Sequence, residues 1–237
     1  MKILLLTGPG GDAQGWGDMK VTESVRQACE SLGHPTRVAY VDDEAGFFRL
    51  VDRPDFDIAW SALYHITPNE AFIGRNAEGL WVADVFDERG IPYIGSDSRT
   101  MKAMIDKFRT HEILAAAGVA VPAHVLLRSG DDASAVAYPA FVKPICESRS
   151  VGISDESVVH DEEELERRVA YIESEFDEPA LVEEFLPGDE YTALVLGNGK
   201  TRECLPGLVT VEDKHYRGYR ILRSDLRGVG LTRIGLA

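Results

Sequence analysis

The sequence predicts an α/β protein, with a mostly parallel sheet in its N-terminal part and a mixed α+β part after it. Short apolar runs alternate with amphipathic segments through residues 1–95, which is typical of parallel strands joined by helical crossovers. After Ser96 the pattern changes to helices followed by pairs of short strands. Because 237 residues suffice for two domains, we place the boundary near residue 96 and predict domains 1–96 and 97–237.

The N-terminal part begins with a predicted strand at residues 2–6, which runs into a glycine-rich loop at 8–17. This loop lies where ligands collect in open parallel sheets, although it matches neither the dinucleotide-binding nor the P-loop motif. A plain strand-to-helix connection is the open alternative. Helical spacing followed by glycine predicts helices at residues 21–32 and 78–89. Three more apolar runs predict strands at residues 36–41, 56–63 and 91–95.

The later part begins with a predicted helix at residues 100–117, broken near Asp106 and ended by Gly118. A second helix is predicted at 161–174, where acidic residues fill the first turn and suit the helix dipole. Asn198-Gly199 predicts a hairpin turn. The remaining apolar runs predict strands at 122–127, 138–144, 180–184 and 190–196.

The composition excludes several classes of protein. Forty acidic residues against 25 Lys and Arg give a net charge of −15, which repels nucleic-acid backbones. No apolar run approaches the ~20 residues of a membrane span, and the apolar start is too short for a secretory signal. The three cysteines are isolated and show neither zinc spacing nor a disulfide framework. We therefore expect a cytoplasmic protein that binds neither nucleic acid nor membrane.

The charge is unevenly distributed along the chain. Residues 151–190 contain 15 acidic residues, whereas residues 214–233 contain six Lys and Arg and only one acid, Asp225. The basic tail needs an explanation of its own, and an anionic substrate is one.

Four segments of the second part carry groups suited to binding a phosphate-rich ligand. Lys143 ends an apolar strand, where an ammonium is costly to bury without an anion. Residues 146–154 follow with small and hydroxyl side chains, typical of a flap that closes over phosphate. Residues 181–190 join an apolar strand to acids and an aromatic ring that suit a purine nucleoside, and Lys107 lies at a helix junction. Solvated loops and a solvated lysine are the alternatives for each segment taken alone.

The order of these segments resembles the ATP-grasp superfamily, most closely D-alanine–D-alanine ligases and their relatives. The resemblance rests on Asp106-Lys107, Val142-Lys143-Pro144, Glu147-x-x-Ser150-Val151-Gly152 and Val182-Glu183-Glu184-Phe185-Leu186-x-Gly188-x-Glu190. It implies a Rossmann-like pre-ATP-grasp domain followed by an ATP-grasp domain that is incomplete at its C-terminal end. It also implies an ATP-dependent ligase that activates a carboxylate as an acyl phosphate and joins it to an amine.

The resemblance assigns roles to individual residues. Lysines 107 and 143 would bind phosphates, the flap would close over them, and the later acids and apolar residues would hold adenine and ribose. In the flap, Arg149 stands where those ligases carry a serine, which suggests a grip on a substrate carboxylate, with a surface salt bridge as the alternative. The resemblance implies catalytic roles for Arg149 and Ser150, and contacts with the substrate for Asp18, Lys214 and Tyr216. The implied ATP-binding residues are Lys107, Lys143, Glu147, Ser148, Ser150, Val151, Gly152, Glu183, Glu184, Phe185, Leu186 and Glu190.

The resemblance also implies magnesium, but the family's metal-ligand segment has no match before Ala237 and no metal ligand is assigned. A piece of a longer ligase is the favoured explanation, and a shortened relative that binds nucleotide without ligating is the alternative. An ATP-grasp ligase for a different acid is a second alternative. The expected small-molecule partners are ATP and an amino acid, and a homodimer is left open.

Overall fold

The computed structural model describes residues 1–15, 19–66, 79–227 and 231–236. The chain forms two compact units, the first from residues 1–121, 144–149 and 173–179, and the second from 122–143, 150–172 and 180–237. These units group residues by spatial proximity, and a domain boundary near residue 96 stays a prediction. Within the described ranges, no helix has the length and apolarity that a membrane crossing needs.

The first unit contains a four-stranded sheet in the order β2-β1-β3-β6. Every neighbouring pair in it is parallel, as the alternation of strands and helices predicts. All five residues of β1 are buried, because β1 has a strand on each side and apolar side chains of α3 and α4 share its core cluster. The strands are β1 (Ile3–Thr7), β2 (Thr36–Tyr40), β3 (Ile58–Ser61) and β6 (Tyr93–Ile94).

Among the described residues of the first unit there are six helices, and two of them, α1 and α3, were not predicted. Asp43 caps α3 by accepting a hydrogen bond from the Gly46 amide. The predicted break near Asp106 is confirmed, since Asp106 separates α5 from α6 and caps α6 through the Arg109 amide. The helices are α1 (Gly11–Gln14), α2 (Met19–Ser31), α3 (Glu44–Val51), α4 (Val82–Arg89), α5 (Ser98–Ile105) and α6 (Lys107–Ala116).

Helix α4 begins later than the sequence predicts. Residue 78 lies outside the described residues, and Leu80–Trp81 forms a short strand, β5, which pairs antiparallel with β4 (His65–Ile66). This pairing uses the backbone of residues 80 and 81, so the helix begins only at Val82.

The second unit contains a sheet in the order β7-β10-β8-β9, with β7 antiparallel to β10 and β8 antiparallel to β9. Helix α7 has three acidic residues in its first turn, as predicted. These elements are β7 (His124–Leu127), β8 (Ala140–Pro144), β9 (Val158–Val159), β10 (Ala180–Glu184) and α7 (Glu162–Phe176).

A separate three-stranded antiparallel sheet also belongs to the second unit. It consists of β11 (Glu190–Leu196), β12 (Glu203–Thr210) and β13 (Arg233–Leu236), with β12 in the middle. β11 and β12 form the predicted hairpin, but residues 197–202 connect them and include a 3-10 turn at Gly199–Thr201, so Asn198-Gly199 is only part of a longer turn. Every residue of β11 is exposed, although most of its side chains are apolar.

Candidate functional site

A buried ion pair joins two adjacent strands of the second unit. Lys143 on β8 and Glu183 on β10 face each other with Nζ and Oε2 2.6 Å apart. Their side chains are only 17% and 7% exposed, so each charge needs the other to offset its lost hydration. The sequence predicted both residues as nucleotide ligands, and the fold brings them into direct contact.

An aromatic group lies beside this ion pair. The Phe185 ring stacks on Phe141 with centroids 6.4 Å apart, and the Lys143 ammonium lies 5.7 Å from the Phe141 centroid. Tyr219 meets Phe185 edge-on at 5.4 Å, and its hydroxyl hydrogen-bonds to His160. The sequence singled out Phe185 but missed His160 and Tyr219, since nothing local connects residues 160 and 219 to residue 185. The faces and edges of these side chains are complementary to the flat ring of an aromatic ligand.

The backbone after β10 is already hydrogen-bonded. The Glu184 amide donates to the Ala123 carbonyl at 2.9 Å, and the Phe185 amide donates to the Pro139 carbonyl at 3.3 Å. A backbone amide for a purine must therefore come from a later residue, and Leu186, which is exposed, is the next one. The Glu184 side chain is exposed as well.

In the first unit, Lys107 holds the segment that follows β8. Its ammonium donates to the carbonyls of Pro144, Ile145 and Glu147 at 3.2, 3.1 and 2.5 Å. The sequence did not indicate this anchoring role, because the carbonyls lie about 40 residues further along the chain. Binding of phosphate by Lys107 stays a prediction.

Glu178 fixes the same segment from another side. Its Oε2 accepts a hydrogen bond from the Cys146 amide at 2.9 Å. Burial raises the pKa of Glu178, and burial together with the Glu178 charge raises the pKa of Cys146 to about 12. Glu147 is also buried. The Ser148 hydroxyl donates a hydrogen bond to the Gln14 carbonyl at 3.4 Å. The segment is therefore held on several sides.

The flap continues with backbone of unusual conformation. Arg149 and Ser150 have φ values of 51° and 60°, and Gly152 has 75°. In the second unit, Arg227 Nε donates to Ser150 Oγ at 2.8 Å, and Arg168 donates to the Gly152 carbonyl. The sequence missed Arg168 and gave Arg227 only as part of the basic tail.

The predicted ribose ligand lies beside a predicted substrate residue. Glu190 and Tyr216 line one small cavity of about 50 Å³. Burial raises the pKa of Glu190, and the charge of Arg227, whose Nη2 lies 3.8 Å away, opposes that rise. Lys214 pairs with Glu212 at 2.5 Å and is largely exposed.

Besides Glu190 and Tyr216, the predicted residues form two local groups. Lys143, Glu183 and Phe185 cluster in the second unit, whereas Lys107 contacts the segment of Glu147 in the first unit. Convergence of the two lysines on one polyanion stays a prediction. Asp18 lies outside the described residues.

The implied magnesium finds no protein site among the residues that the structure describes. In those residues, no cluster of three or more His, Cys, Asp or Glu side chains is arranged to hold a metal ion. We therefore assign no chemical step to magnesium.

Comparison with known proteins identifies relatives of this chain. The family model "D-ala D-ala ligase C-terminus" matches residues 113–221. The D-alanine–D-alanine ligase of a Polaromonas species is 33% identical over 183 residues, which are 71% of this chain and 53% of that protein. The corresponding ligase of Thermotoga petrophila is 28% identical over 225 residues, which are 92% of this chain and 67% of that protein.

The structural comparison extends the similarity to the whole chain. The crystal structure of the D-alanine–D-alanine ligase of Bacillus anthracis complexed with ATP matches with a TM-score of 0.64 at 19% identity. That match covers all of this chain and 70% of the other. At this identity the similarity shows the fold alone, which is that of the matched D-alanine–D-alanine ligase structure. The chain spans 53% to 59% of the length of the first curated relatives that it matches.

Proposed function

Since the chain is a D-alanine–D-alanine ligase-like ATP-grasp protein, we propose that it uses ATP to join a carboxylate to an amine. The observation that carries this proposal is the buried pair of Lys143 and Glu183 beside the ring of Phe185. A cation, a carboxylate and a flat apolar surface on adjacent strands are the groups that a nucleotide requires.

In this proposal each residue contributes binding or orientation. Phe185 and Leu186 contact the adenine ring, Glu183 accepts a hydrogen bond from its amino group, and Glu190 accepts one from ribose. Lys143 and Lys107 bind phosphate oxygens, and the flap at residues 147–152 covers them. Covering the phosphates excludes water, which would otherwise hydrolyse the activated acid.

The proposed reaction has two steps. A carboxylate oxygen attacks the γ-phosphorus of ATP, and ADP leaves with the bonding electrons, which gives an acyl phosphate. The amine nitrogen then attacks the acyl carbon, the C–O bond to phosphate breaks, and the nitrogen loses a proton. The products are an amide, ADP and inorganic phosphate. Positive charge at the flap stabilises the phosphates throughout.

A second candidate function is nucleotide binding without ligation. It is favoured by the lack of a metal-ligand cluster among the residues that the structure describes. Phosphate release from ATP, measured with D-alanine and with a panel of other amino acids, separates the candidates. Release that depends on an amino acid supports the ligase, and nucleotide binding without any release supports the binding module. Release preferring an acid other than alanine indicates a ligase for a different substrate.

The nucleotide site is tested by removing its buried cation. Lys143→Ala leaves the Glu183 carboxylate buried without its ion pair, so the double variant Lys143→Met with Glu183→Gln is the cleaner test. We expect it to weaken nucleotide binding at least about tenfold in a fluorescent-nucleotide titration. Lys200→Ala, at an exposed position after β11, is the matched control and should bind like the wild type. Equal affinity of all three proteins contradicts the proposed site.

The remaining proposals concern setting and partners. We propose ATP and an amino acid as the small-molecule partners, with magnesium bound to ATP as the family implies. We also propose a cytoplasmic location, which suits the supply of ATP and the three free cysteines. The net charge of −15 opposes nucleic-acid binding, and a homodimer is left open.

A further inference from the structure

The first unit contains a second cavity, of about 390 Å³, that the nucleotide site does not use. It lies at the carboxyl ends of β3 and β6, the edge at which parallel sheets bind ligands. Its volume is within the range of small-molecule sites. Five aromatic side chains contribute to its lining, namely Trp60, Tyr64, Trp81, Phe86 and Tyr93.

The rings are held in place by their neighbours. Phe86 packs against Tyr93 with centroids 5.4 Å apart and against Phe47 at 5.9 Å. Trp81 meets His65 edge-on at 5.7 Å, and the ammonium of Lys102 lies 5.3 Å from the Trp81 ring centroid. The apolar wall is therefore prebuilt, which lowers the entropic cost of binding an apolar group.

The segment that carries Arg149 is linked to one side of this wall. Burial raises the pKa of Tyr64, and the charge of Arg149 opposes that rise, so the guanidinium lies within electrostatic range of this side chain. Gln14 connects the two segments: its Oε1 accepts from the Tyr64 amide at 2.7 Å, and its carbonyl faces the Ser148 hydroxyl. The segment that carries Arg149 is thus tethered beside Tyr64.

We propose that this cavity binds the side chain of an aromatic or large aliphatic amino acid, whose carboxylate pairs with Arg149. An aromatic ring fills a cavity that the methyl group of alanine would leave mostly empty. A bidentate guanidinium engages both carboxylate oxygens, which makes them poor nucleophiles toward ATP. The bound amino acid is therefore the amine donor of the ligation, and this assignment rests on the proposed function.

Binding without nucleotide tests the cavity directly. Trp60 and Trp81 line it, so intrinsic fluorescence reports on its occupancy. We expect one enantiomer of phenylalanine to bind at least about tenfold more tightly than the same enantiomer of alanine. Equal affinities for phenylalanine and alanine, or no binding of phenylalanine, overturn the proposal.

Two matched substitutions locate the binding. Ala83→Leu fills the cavity from α4 and should weaken phenylalanine binding at least tenfold, whereas Ala115→Leu, at an exposed position of α6, should leave it unchanged. Arg149→Gln should weaken phenylalanine but not phenethylamine, which has the ring and amine without the carboxylate. Equal effects of the two alanine variants, or of Arg149→Gln on the two ligands, overturn the assignment. If Ala83→Leu does not fold by circular dichroism, the wild-type comparison and the arginine variant still decide.

A parallel nucleotide titration distinguishes the two proposals. Nucleotide binding without phenylalanine binding removes this inference and leaves the proposed function. Phenylalanine binding without nucleotide binding removes the proposed function, and with it the role of amine donor.

Discussion

Strands β1 and β11 contain similar apolar side chains in opposite surroundings. Leu4, Leu5 and Leu6 of β1 are completely buried, whereas Leu194 of β11 is 56% exposed and every other residue of β11 is exposed as well. The difference shows that an apolar run predicts a strand but not its burial. Burial depends on what covers the strand, and such partners are far away in the sequence.

The largest expected difference between a buried and an exposed position is in the reactivity of two cysteine thiols. Cys204 is exposed on β12, whereas burial beside Glu178 raises the pKa of Cys146 to about 12. Because the thiolate is the reactive form, we expect a thiol reagent at pH 8 to modify Cys204 at least ~100-fold faster than Cys146. Peptide mapping by mass spectrometry at timed intervals measures both rates, and Cys204→Ser should remove the fast phase. Similar rates for the two thiols would mean that the segment of Cys146 opens readily.

Core truncation is expected to have the next largest effect. Leu5→Ala removes buried methyl groups from the central strand of the parallel sheet and leaves a cavity. We expect the free energy of unfolding to fall by about 2–5 kcal/mol, measured by urea denaturation. A loss below 1 kcal/mol would contradict the buried position of β1.

The same substitution on β11 sharpens the comparison. Leu194→Ala removes a side chain that is already exposed, so we expect a change within about 0.5 kcal/mol under the same conditions. A loss as large as that of Leu5→Ala would show that β11 is covered in solution. Sedimentation of the wild type would then indicate whether a second copy covers it.

The smallest expected effect concerns the helix beside β1. Helix α2 packs on β1 and β2, and on it hydrogen bonds from Arg26 lower the pKa of Glu23 to about 2. A lowered pKa stabilises the folded protein above the ordinary value of 4.5, and this contribution is lost as pH falls toward 2. Melting temperatures between pH 5 and 2.5 should therefore fall less steeply for Glu23→Gln than for the wild type. Glu112→Gln, an exposed position on α6, is the control and should follow the wild type.

The sequence predicted those parts of the fold that have local causes. The break at Asp106 and the hairpin near Asn198-Gly199 each depend on a few neighbouring residues. The break is confirmed, and the hairpin forms with a longer connection than an Asn-Gly turn. Helix α3 was missed because Gly46 and two adjacent phenylalanines obscure its periodicity, although Asp43 is a recognisable cap. The short strand β5 was missed because its pairing partner is 14 to 16 residues away.

In the candidate site, too, local sequence predicts some residues, and the contacts between distant residues appear only in the fold. Lys143, Glu183 and Phe185 were predicted from strand ends and motif order, and the fold brings them together. The contacts of Arg227 with Ser150, and of Glu178 with Cys146, bridge 77 and 32 residues of chain. No local pattern announces such pairs, since only the tertiary fold decides which distant side chains meet.

The consecutive left-handed residues Arg149 and Ser150 have an energetic consequence. Each side chain with a Cβ costs of order 1–2 kcal/mol in that region of backbone space, so this stretch stores conformational free energy. A rearrangement that returned both residues to ordinary dihedral angles would release that energy and offset part of its own cost. The resting shape of this stretch is thus set against the intrinsic preference of its backbone.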